Sequence, residues 1–277
     1  MLVNMKEILQ DARRRRYGVG MFNTFTVEMA LGVMDAAEEL RAPVIIGTAE
    51  SLLSCCDMEL FLSMGKLLAA RASVPVGLHL DHGFTEPVIR RAIESGFTSV
   101  MYDRSEAAYE DNVKSLRELA DFAHRHGVSV EAELGHVVFD DPADIGYVYT
   151  RPEDVEDFVS RTGVDALAIS IGTAHGVYKT PPVLDLERLR AVRKVTDVGL
   201  VLHGGSGLSD DDFRNVVRDG IQKINIYTDV SNAASQAAHD WVAQHNRSIE
   251  QVSPRMRKAS CEAALRKLRL FSCEGKA

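Results

Sequence analysis

The stretch Val76-Gly-Leu-His-Leu-Asp-His-Gly83 ends an apolar run with the densest group of polar side chains in the chain. Two similar runs follow, Ala166-Leu-Ala-Ile-Ser-Ile-Gly-Thr-Ala-His175 and Leu200-Val-Leu-His203. Apolar runs of this kind are typical of strands that are buried on both faces in a parallel sheet. Because parallel barrels build their active sites at the carboxyl ends of their strands, each run predicts part of a site.

Three histidines close these predicted strands: His82, His175 and His203. Three imidazoles that meet at one rim form a metal site with a coordination position left for substrate. The alternative is three unrelated histidines that pack in the core or cap helices. Their shared position at strand ends favours the metal site.

The rest of the chain alternates between strand-like and helix-like segments. The predicted strands are Gly18–Phe22, Pro43–Gly47, Val76–Leu80, Ser99–Tyr102, Val128–Leu134, Ala166–Ile171, Gly199–Leu202 and Lys223–Tyr227. The predicted helices are Val27–Leu40, Glu50–Ala70, Thr85–Ser95, Ala107–His126, Pro152–Thr162, Asp185–Val195 and Ser209–Asp219. Eight strands with helices between them predict an α/β fold, a closed (β/α)8 TIM barrel.

The chain of 277 residues fits a single barrel domain over residues 1–277, because such barrels often reach about 250 residues. Residues 229–277 exceed what closing the barrel requires. We expect them to form additional C-terminal helices, broken at Pro254, that contact another subunit.

Composition narrows the class of partner. The net charge of −8 argues against nucleic acid, which would require a basic face. No apolar stretch approaches membrane-spanning length, so we expect no membrane partner. The four cysteines lack C-x-x-C spacing, and we expect a reduced, cytoplasmic setting. Adjacent Cys55 and Cys56 lie in a predicted helix, where we expect them to be buried.

Carboxylates accompany the histidines at the predicted rim. Asp81 lies beside His82 and is a candidate general acid/base, with the alternative that it only orients a histidine. Glu131 and Glu133 share one face of the fifth strand, where a buried carboxylate requires a metal or a lysine. Glu133, nearer the rim, is the better candidate for a further metal ligand. Asp103 is similar, with a helix N-cap as the competing interpretation.

Glycines and polar residues end the last two strands, in His203-Gly-Gly-Ser-Gly207 and Lys223-Ile-Asn-Ile-Tyr-Thr-Asp229. Barrels commonly bind phosphate at these two loops, through glycine amides and a helix N-terminus. Lys179 adds a cation on the same side, with a surface lysine as the alternative. The sequence therefore predicts a phosphorylated metabolite as ligand.

Taken together, these motifs resemble the class II, zinc-dependent ketose-bisphosphate aldolases over almost the whole chain. The strings that carry the resemblance are Phe22-Asn23, His79-Leu-Asp-His-Gly83, Ser129-Val-Glu-Ala-Glu-Leu-Gly135, Gly172-Thr-Ala-His-Gly176 and Leu202-His-Gly-Gly-Ser-Gly-Leu208. Ile171-Gly-Thr-Ala-His-Gly176 and the tail Cys273-Glu-Gly-Lys276 look more like the tagatose-bisphosphate branch. His175-Gly-Val-Tyr-Lys179 is shared with fructose-bisphosphate members.

The resemblance implies an aldehyde-lyase that cleaves fructose- or tagatose-1,6-bisphosphate to dihydroxyacetone phosphate and glyceraldehyde 3-phosphate. It implies one catalytic zinc ion held by His82, His175 and His203, with Glu133 as an alternate ligand, and Asp81 as the group that exchanges a proton with the C4 hydroxyl. It further implies a monovalent cation, Na⁺ or K⁺, near the phosphate and a homodimer or homotetramer. The implied substrate-binding residues are Asn23, Gly176, Lys179, Gly204, Gly205, Ser206, Asn225, Thr228 and Arg255, the last reaching a neighbouring subunit's site.

One segment and one single residue depart from the family pattern. The Gly-Gly-Glu-Asp-like stretch that supplies an acid for the C3 proton is replaced by Gly135-His-Val-Val-Phe-Asp-Asp-Pro-Ala-Asp144. Asp140 or Asp141 is expected to take that role. Tyr227 stands where a small or acidic residue is usual and is expected to reshape the pocket.

Three alternatives stay open at this point. One is an aldolase of the same family that acts on a different ketose phosphate, because the segment 135–151 is altered. Another is a catalytically impaired relative that binds a sugar phosphate. The third, a metal-dependent hydrolase on a barrel, is weak because Gly18–Asn23 contains no histidine.

Overall fold

A computed structural model describes residues 1–137, 148–176, 178, 181–245 and 248–277. Eight parallel strands in these ranges pair in chain order and close into a barrel, with β8 against β1. The strands are β1 Val19–Asn23, β2 Val44–Ala49, β3 Val76–Gly83, β4 Ser99–Tyr102, β5 Ser129–Leu134, β6 Ala166–Ile169, β7 Gly199–Leu202 and β8 Lys223–Ile226. The predicted TIM barrel is confirmed.

Each barrel strand is buried along its full length, because helices cover its outer side and side chains fill the interior. The helices are α1 Met5–Arg15, α2 Val27–Leu40, α3 Met58–Arg71, α4 Glu86–Ser95, α5 Tyr109–Arg125, α6 Pro152–Thr162, α7 Leu186–Val195, α8 Asp210–Asp219, α9 Thr228–Gln244 and α10 Ile249–Leu270. None of the helices in the described ranges combines the length and apolar composition that crossing a bilayer requires.

The helix predicted over Glu50–Ala70 is divided. A short 3₁₀ helix covers Glu50–Leu52, a turn follows, and α3 begins after Asp57, whose carboxylate accepts hydrogen bonds from two backbone amides of the first turn. This cap restarts the helix, since it satisfies N–H groups that otherwise lack partners. The prediction of buried cysteines was wrong here: Cys55 lies exposed in the turn and Cys56 is half-buried.

The C-terminal residues form two helices, α9 and α10, as expected. Pro254 does not break the second of these, since α10 continues through it from Ile249 to Leu270 without the one helical hydrogen bond that a backbone N–H at this position would donate. α10 packs tightly on α2 at Gly32, where an added Cβ would lie 2.6 Å from Cβ of Ser260. The proposed subunit contact of these helices stays a prediction.

Candidate active site

The end of β3 presents two adjacent side chains to the same cavity. In a regular strand, neighbouring side chains point to opposite faces, so Asp81 and His82 could not both face inward. The pairing of β3 with β4 shifts register between Leu80 and Gly83, and His82 adopts a left-handed backbone with φ of 40°. Gly83 follows because a Cβ there would lie 2.7 Å from the carbonyl oxygen of Met101. This bulge turns both functional groups toward the mouth of the barrel.

The three strand-end histidines come together at this mouth. One ligand nitrogen from each of His82, His175 and His203 lies within 4.8 Å of the other two. Their ring centroids are 4.6 to 5.7 Å apart. Imidazoles crowded at this spacing are typical of a metal centre, because each ring aims a lone pair at a shared point.

Carboxylates orient two of these rings from behind. Nδ1 of His82 donates to Oδ2 of Asp103 at 2.8 Å, and Nε2 of His203 donates to Oε1 of Glu131 at 2.9 Å. Such contacts fix the tautomer and the ring plane of a metal-binding histidine. Asp103 does not cap α5, whose N-cap residue is Ala108, so its carboxylate serves His82.

A buried nitrogen and a buried oxygen face each other without a hydrogen bond. Nδ1 of His203 lies 3.4 Å from Oε2 of Glu133, and neither atom has a hydrogen-bond partner among the described residues. The second Glu133 oxygen, Oε1, accepts from the Val137 amide at 2.8 Å. Uncompensated buried polar atoms are costly, and a cation bound by both would satisfy them. The donor set present therefore fits a metal such as zinc, with Glu133 in the place predicted for it.

The histidines of the site differ in how readily they take up a proton. Burial opposes charge on His82, yet the surrounding carboxylates Asp81, Asp103 and Glu133 outweigh burial and raise the pKa of this histidine to about 9. Deeper in the barrel, burial and the Lys223 ammonium lower the pKa of His79 to about 3. At the same rim as His82, burial and the charge on His82 hold the pKa of His175 well below its usual value.

Asp81 lies between two amide groups. Asn23 Nδ2 donates to Oδ2 at 2.7 Å, and Asn225 Nδ2 donates to Oδ1 at 2.9 Å. Burial acts to raise the pKa of Asp81, but neighbouring positive charge, with His82 foremost, holds it well below its usual range. The carboxylate is therefore ionised and fixed in direction, as a general base requires.

Glycine-rich backbone forms the other side of the cavity. Gly204 has φ of 65°, and a Cβ there would clash with the carbonyl oxygen of Ala174. Tyr178 joins the two loops, since its hydroxyl accepts from the Ala174 amide at 2.9 Å and donates to the Gly204 carbonyl at 2.8 Å. Ser206 and Thr228, the first residue of α9, also border the cavity. Backbone amides and a helix N-terminus together suit a phosphate.

Most of the predicted site residues surround one cavity of about 450 Å³. The predicted residues on its wall are Asn23, Asp81, His82, His175, Gly176, Gly204, Gly205, Ser206, Asn225 and Thr228. His203 and Glu133 lie beneath that wall. Arg255 lies away from it on α10, stacked on the ring of Trp241 at 3.2 Å from the centroid. Lys179, Asp140 and Asp141 lie outside the described residues.

Comparison with known proteins agrees with this arrangement. A family model described as fructose-bisphosphate aldolase class-II matches residues 3–276. The chain belongs to this class II aldolase family. The uncharacterized protein YdjI of Escherichia coli (strain K12) is 41% identical over 281 residues, covering all of both chains. The fructose-bisphosphate aldolase of Geobacillus stearothermophilus is 36% identical over 286 residues, covering 100% of this chain and 99% of its own.

A solved structure supports the same family. The X-ray crystal structure of the YdjI aldolase from Escherichia coli K12 matches with a TM-score of 0.91 and 38% identity, covering all of both chains. The resemblance to class II aldolases is thus confirmed. The roles of individual residues in this class II aldolase chain stay predictions.

Two contributors to the site were not recognised as such in the sequence. The sequence motif places Lys223 only in a phosphate-binding strand, yet its side chain is completely buried beneath the rim. A signal for Lys223 existed, because a lysine inside an apolar strand requires a buried carboxylate such as Glu131. Nothing in the sequence pointed to Tyr178, whose contacts depend on two loops that meet only in the folded barrel.

Proposed function

We propose that this class II aldolase is a zinc-dependent lyase that reversibly cleaves a phosphorylated ketose to dihydroxyacetone phosphate and an aldehyde. The favoured substrates are fructose- and tagatose-1,6-bisphosphate, with glyceraldehyde 3-phosphate as the aldehyde. The observation that carries the proposal is the position of Asp81. This ionised carboxylate borders the same cavity as His82, His175 and the glycine loop.

His82, His175 and His203 would hold the metal, with Glu133 as an alternate ligand. A zinc ion bound there would act as a Lewis acid toward the substrate carbonyl oxygen. Neutral imidazole ligands suit this role, since the ligands themselves add no negative charge to the ion.

The proton transfers fall to the protein's own residues. Asp81 takes the proton of the C4 hydroxyl as the C3–C4 bond breaks and the C4 carbonyl of the aldehyde forms. The electron pair of the broken bond remains on the dihydroxyacetone phosphate half, where C3 then gains a proton. We assign that second proton to Asp140 or Asp141. In the direction of synthesis, Asp81 returns its proton to the new C4 hydroxyl.

The phosphate of the dihydroxyacetone half would bind at Gly204, Gly205 and Ser206, whose backbone can approach an anion closely. A Na⁺ or K⁺ ion beside that phosphate would complete the charge balance. We further propose a cytoplasmic homodimer or homotetramer in which Arg255 reaches the aldehyde phosphate in a neighbouring subunit.

One observation favours a different ketose phosphate as the second candidate. Tyr227 borders the cavity, and its ring lies 6.3 Å from that of Phe25. Leu52 and Phe84 add further apolar surface to the same cavity. A wall of this kind restricts the size and polarity of the aldehyde portion, and the altered segment 135–151 is expected to act in the same direction.

The deciding experiment measures release of dihydroxyacetone phosphate from a panel of ketose phosphates, with and without a chelator. The panel contains fructose and tagatose bisphosphates and ketose 1-phosphates. We expect chelator-sensitive release that zinc restores, that His203→Ala abolishes and that His239→Ala retains, since His239 lies exposed on α9. Zinc-loaded protein that releases nothing from any member of the panel would contradict the lyase and favour the sugar-phosphate-binding alternative.

A further inference from the structure

Lys223 is a completely buried lysine in the interior of the barrel. It is the first residue of β8, which pairs with β1 and β7. Removing an ammonium group from water costs several kcal/mol unless charge and hydrogen bonds compensate it. A lysine in this position therefore needs specific partners, and those partners show what the side chain does.

The ammonium group contacts two side chains. Nζ of Lys223 lies 2.8 Å from Oε2 and 3.1 Å from Oε1 of Glu131, and it donates to Oδ1 of Asn225 at 2.7 Å. Glu131 belongs to β5, which is not a neighbour of β8, so the ion pair spans the interior of the barrel. Neither Lys223 nor Glu131 borders the active-site cavity.

The first contact leads to the metal-binding histidines. Oε1 of Glu131, which accepts from Lys223, also accepts from Nε2 of His203 at 2.9 Å. A proton on Nε2 leaves Nδ1 with its lone pair, and Nδ1 is the atom that faces Glu133. By fixing the Glu131 carboxylate, the lysine stabilises the tautomer that His203 needs as a ligand.

The second contact leads to the proposed acid/base. An ammonium group can only donate, so the Asn225 atom 2.7 Å from Nζ must be the amide oxygen. That requirement excludes the flipped amide and directs Nδ2 of Asn225 toward Oδ1 of Asp81 at 2.9 Å. With the opposite amide orientation, an oxygen would face the Asp81 carboxylate and repel it.

We propose that Lys223 is a positioning residue that aligns both halves of the site, His203 through Glu131 and Asp81 through Asn225. This inference rests on the proposed function for its kinetic consequences. Its consequence for metal binding does not depend on which reaction is catalysed. Lys223 touches no substrate, and it acts through the groups that it fixes.

The test uses the intact protein and Co²⁺ alone as the metal probe. Lys223→Met removes the ammonium group at similar side-chain length. Lys267→Met is the matched control, because Lys267 is another largely buried lysine, paired with Asp229 on the outer helices. Co²⁺ affinity and absorption spectrum are measured first, followed by kcat and KM for the best ketose phosphate of the panel.

We expect Lys223→Met to weaken Co²⁺ binding about tenfold, the lower end of the effect of losing a partner behind a metal ligand, because Glu131 itself remains but is no longer fixed. We expect kcat to fall by at least about tenfold, with a smaller change in KM, since Lys223 does not border the cavity that would bind the substrate. Lys267→Met should leave the Co²⁺ spectrum unchanged. Wild-type Co²⁺ affinity in folded Lys223→Met would overturn the proposal.

A double variant, Lys223→Met with Glu131→Gln, separates the two effects and avoids an uncompensated buried carboxylate. A glutamine at position 131 still offers an oxygen to His203, so Co²⁺ affinity should return close to that of the wild type. The amide of Asn225 is no longer fixed, so kcat should stay low. A wild-type kcat in this variant would overturn the link to Asp81, even if the single variant fails to fold.

Failure of the proposed function gives a different result. A wild-type protein that binds Co²⁺ but cleaves no ketose phosphate refutes the lyase. The Co²⁺ affinities of the single and double variants then still decide whether Lys223 positions His203.

Discussion

Replacing Asp81 by alanine removes the only carboxylate among the described residues that border the cavity. General acid–base catalysis typically contributes 10²- to 10⁴-fold to a rate. No other acid on the described wall can substitute, and two amides hold Asp81 at 2.7 and 2.9 Å, so we expect the upper part of that range. A loss of about 10³- to 10⁴-fold in kcat corresponds to roughly 4–5.5 kcal/mol in the activation barrier.

The assay follows dihydroxyacetone phosphate release by zinc-loaded Asp81→Ala at saturating substrate, with zinc content measured in the same preparation. Asp121→Ala is the control, because it removes an exposed ion pair with Arg117 on α5. Since Asp81 is assigned only to the C4 hydroxyl, the variant should still exchange the C3 hydrogen of dihydroxyacetone phosphate with solvent deuterium.

Two results would refute this reasoning. Cleavage at the wild-type rate would show that Asp81 does not handle the proton. A loss of activity that merely follows a loss of bound zinc would show that Asp81 is needed for the metal instead. Thermal unfolding of the variant and the wild type must be compared as well. The variant leaves the buried amides of Asn23 and Asn225 without an acceptor, and each unsatisfied amide lowers the free energy of unfolding by about 1–3 kcal/mol.

Three further predictions concern the surroundings of the metal. Asp103→Ala removes the acceptor of His82 Nδ1 and should lower zinc affinity about 10- to 100-fold, measured by competition with a chromophoric chelator. Unchanged affinity would contradict the orienting role. Tyr178→Phe removes the contacts to Ala174 and Gly204, and it should cost about 1–3 kcal/mol in urea unfolding and raise KM more than it lowers kcat. Removing the metal with a chelator should lower the unfolding temperature. Adding zinc back should raise the unfolding temperature with the logarithm of the free zinc concentration. An identical melting curve with and without zinc would show that the native fold binds none.

The barrel could be predicted from the sequence because each strand is a short apolar run bounded by turn residues. The eight predicted strands match the observed ones to within a few residues, since burial on both faces requires nearly continuous apolar sequence. Glu50–Ala70 was predicted as one helix because its composition suits a helix throughout. The Glu50 carboxylate instead accepts hydrogen bonds from Phe84 and Thr85, a contact with the loop after β3 that no local pattern encodes.

The rim histidines and Asp81 could also be identified as a group, because strand ends in a parallel barrel meet at one edge. The partners of these residues could not. The contacts of Glu131 with Lys223 and of Asp103 with His82 join strands through the interior or across the rim, so they depend on tilt and register rather than on spacing in the chain. The residues proposed to move the C3 proton lie in a segment outside the described residues and stay predictions.

The adjacent pair Asp81-His82 cannot be transplanted to another barrel as a dipeptide. On a regular strand, these two residues would place one side chain in the barrel interior and the other in the helical layer. A recipient scaffold must also accept an offset between two neighbouring strands and a non-glycine residue with φ near 40°. Holding that residue costs of order 1–3 kcal/mol. A search for this Asp-His pair in other barrels should therefore look first for the irregularity in the strand and then for the two residue types.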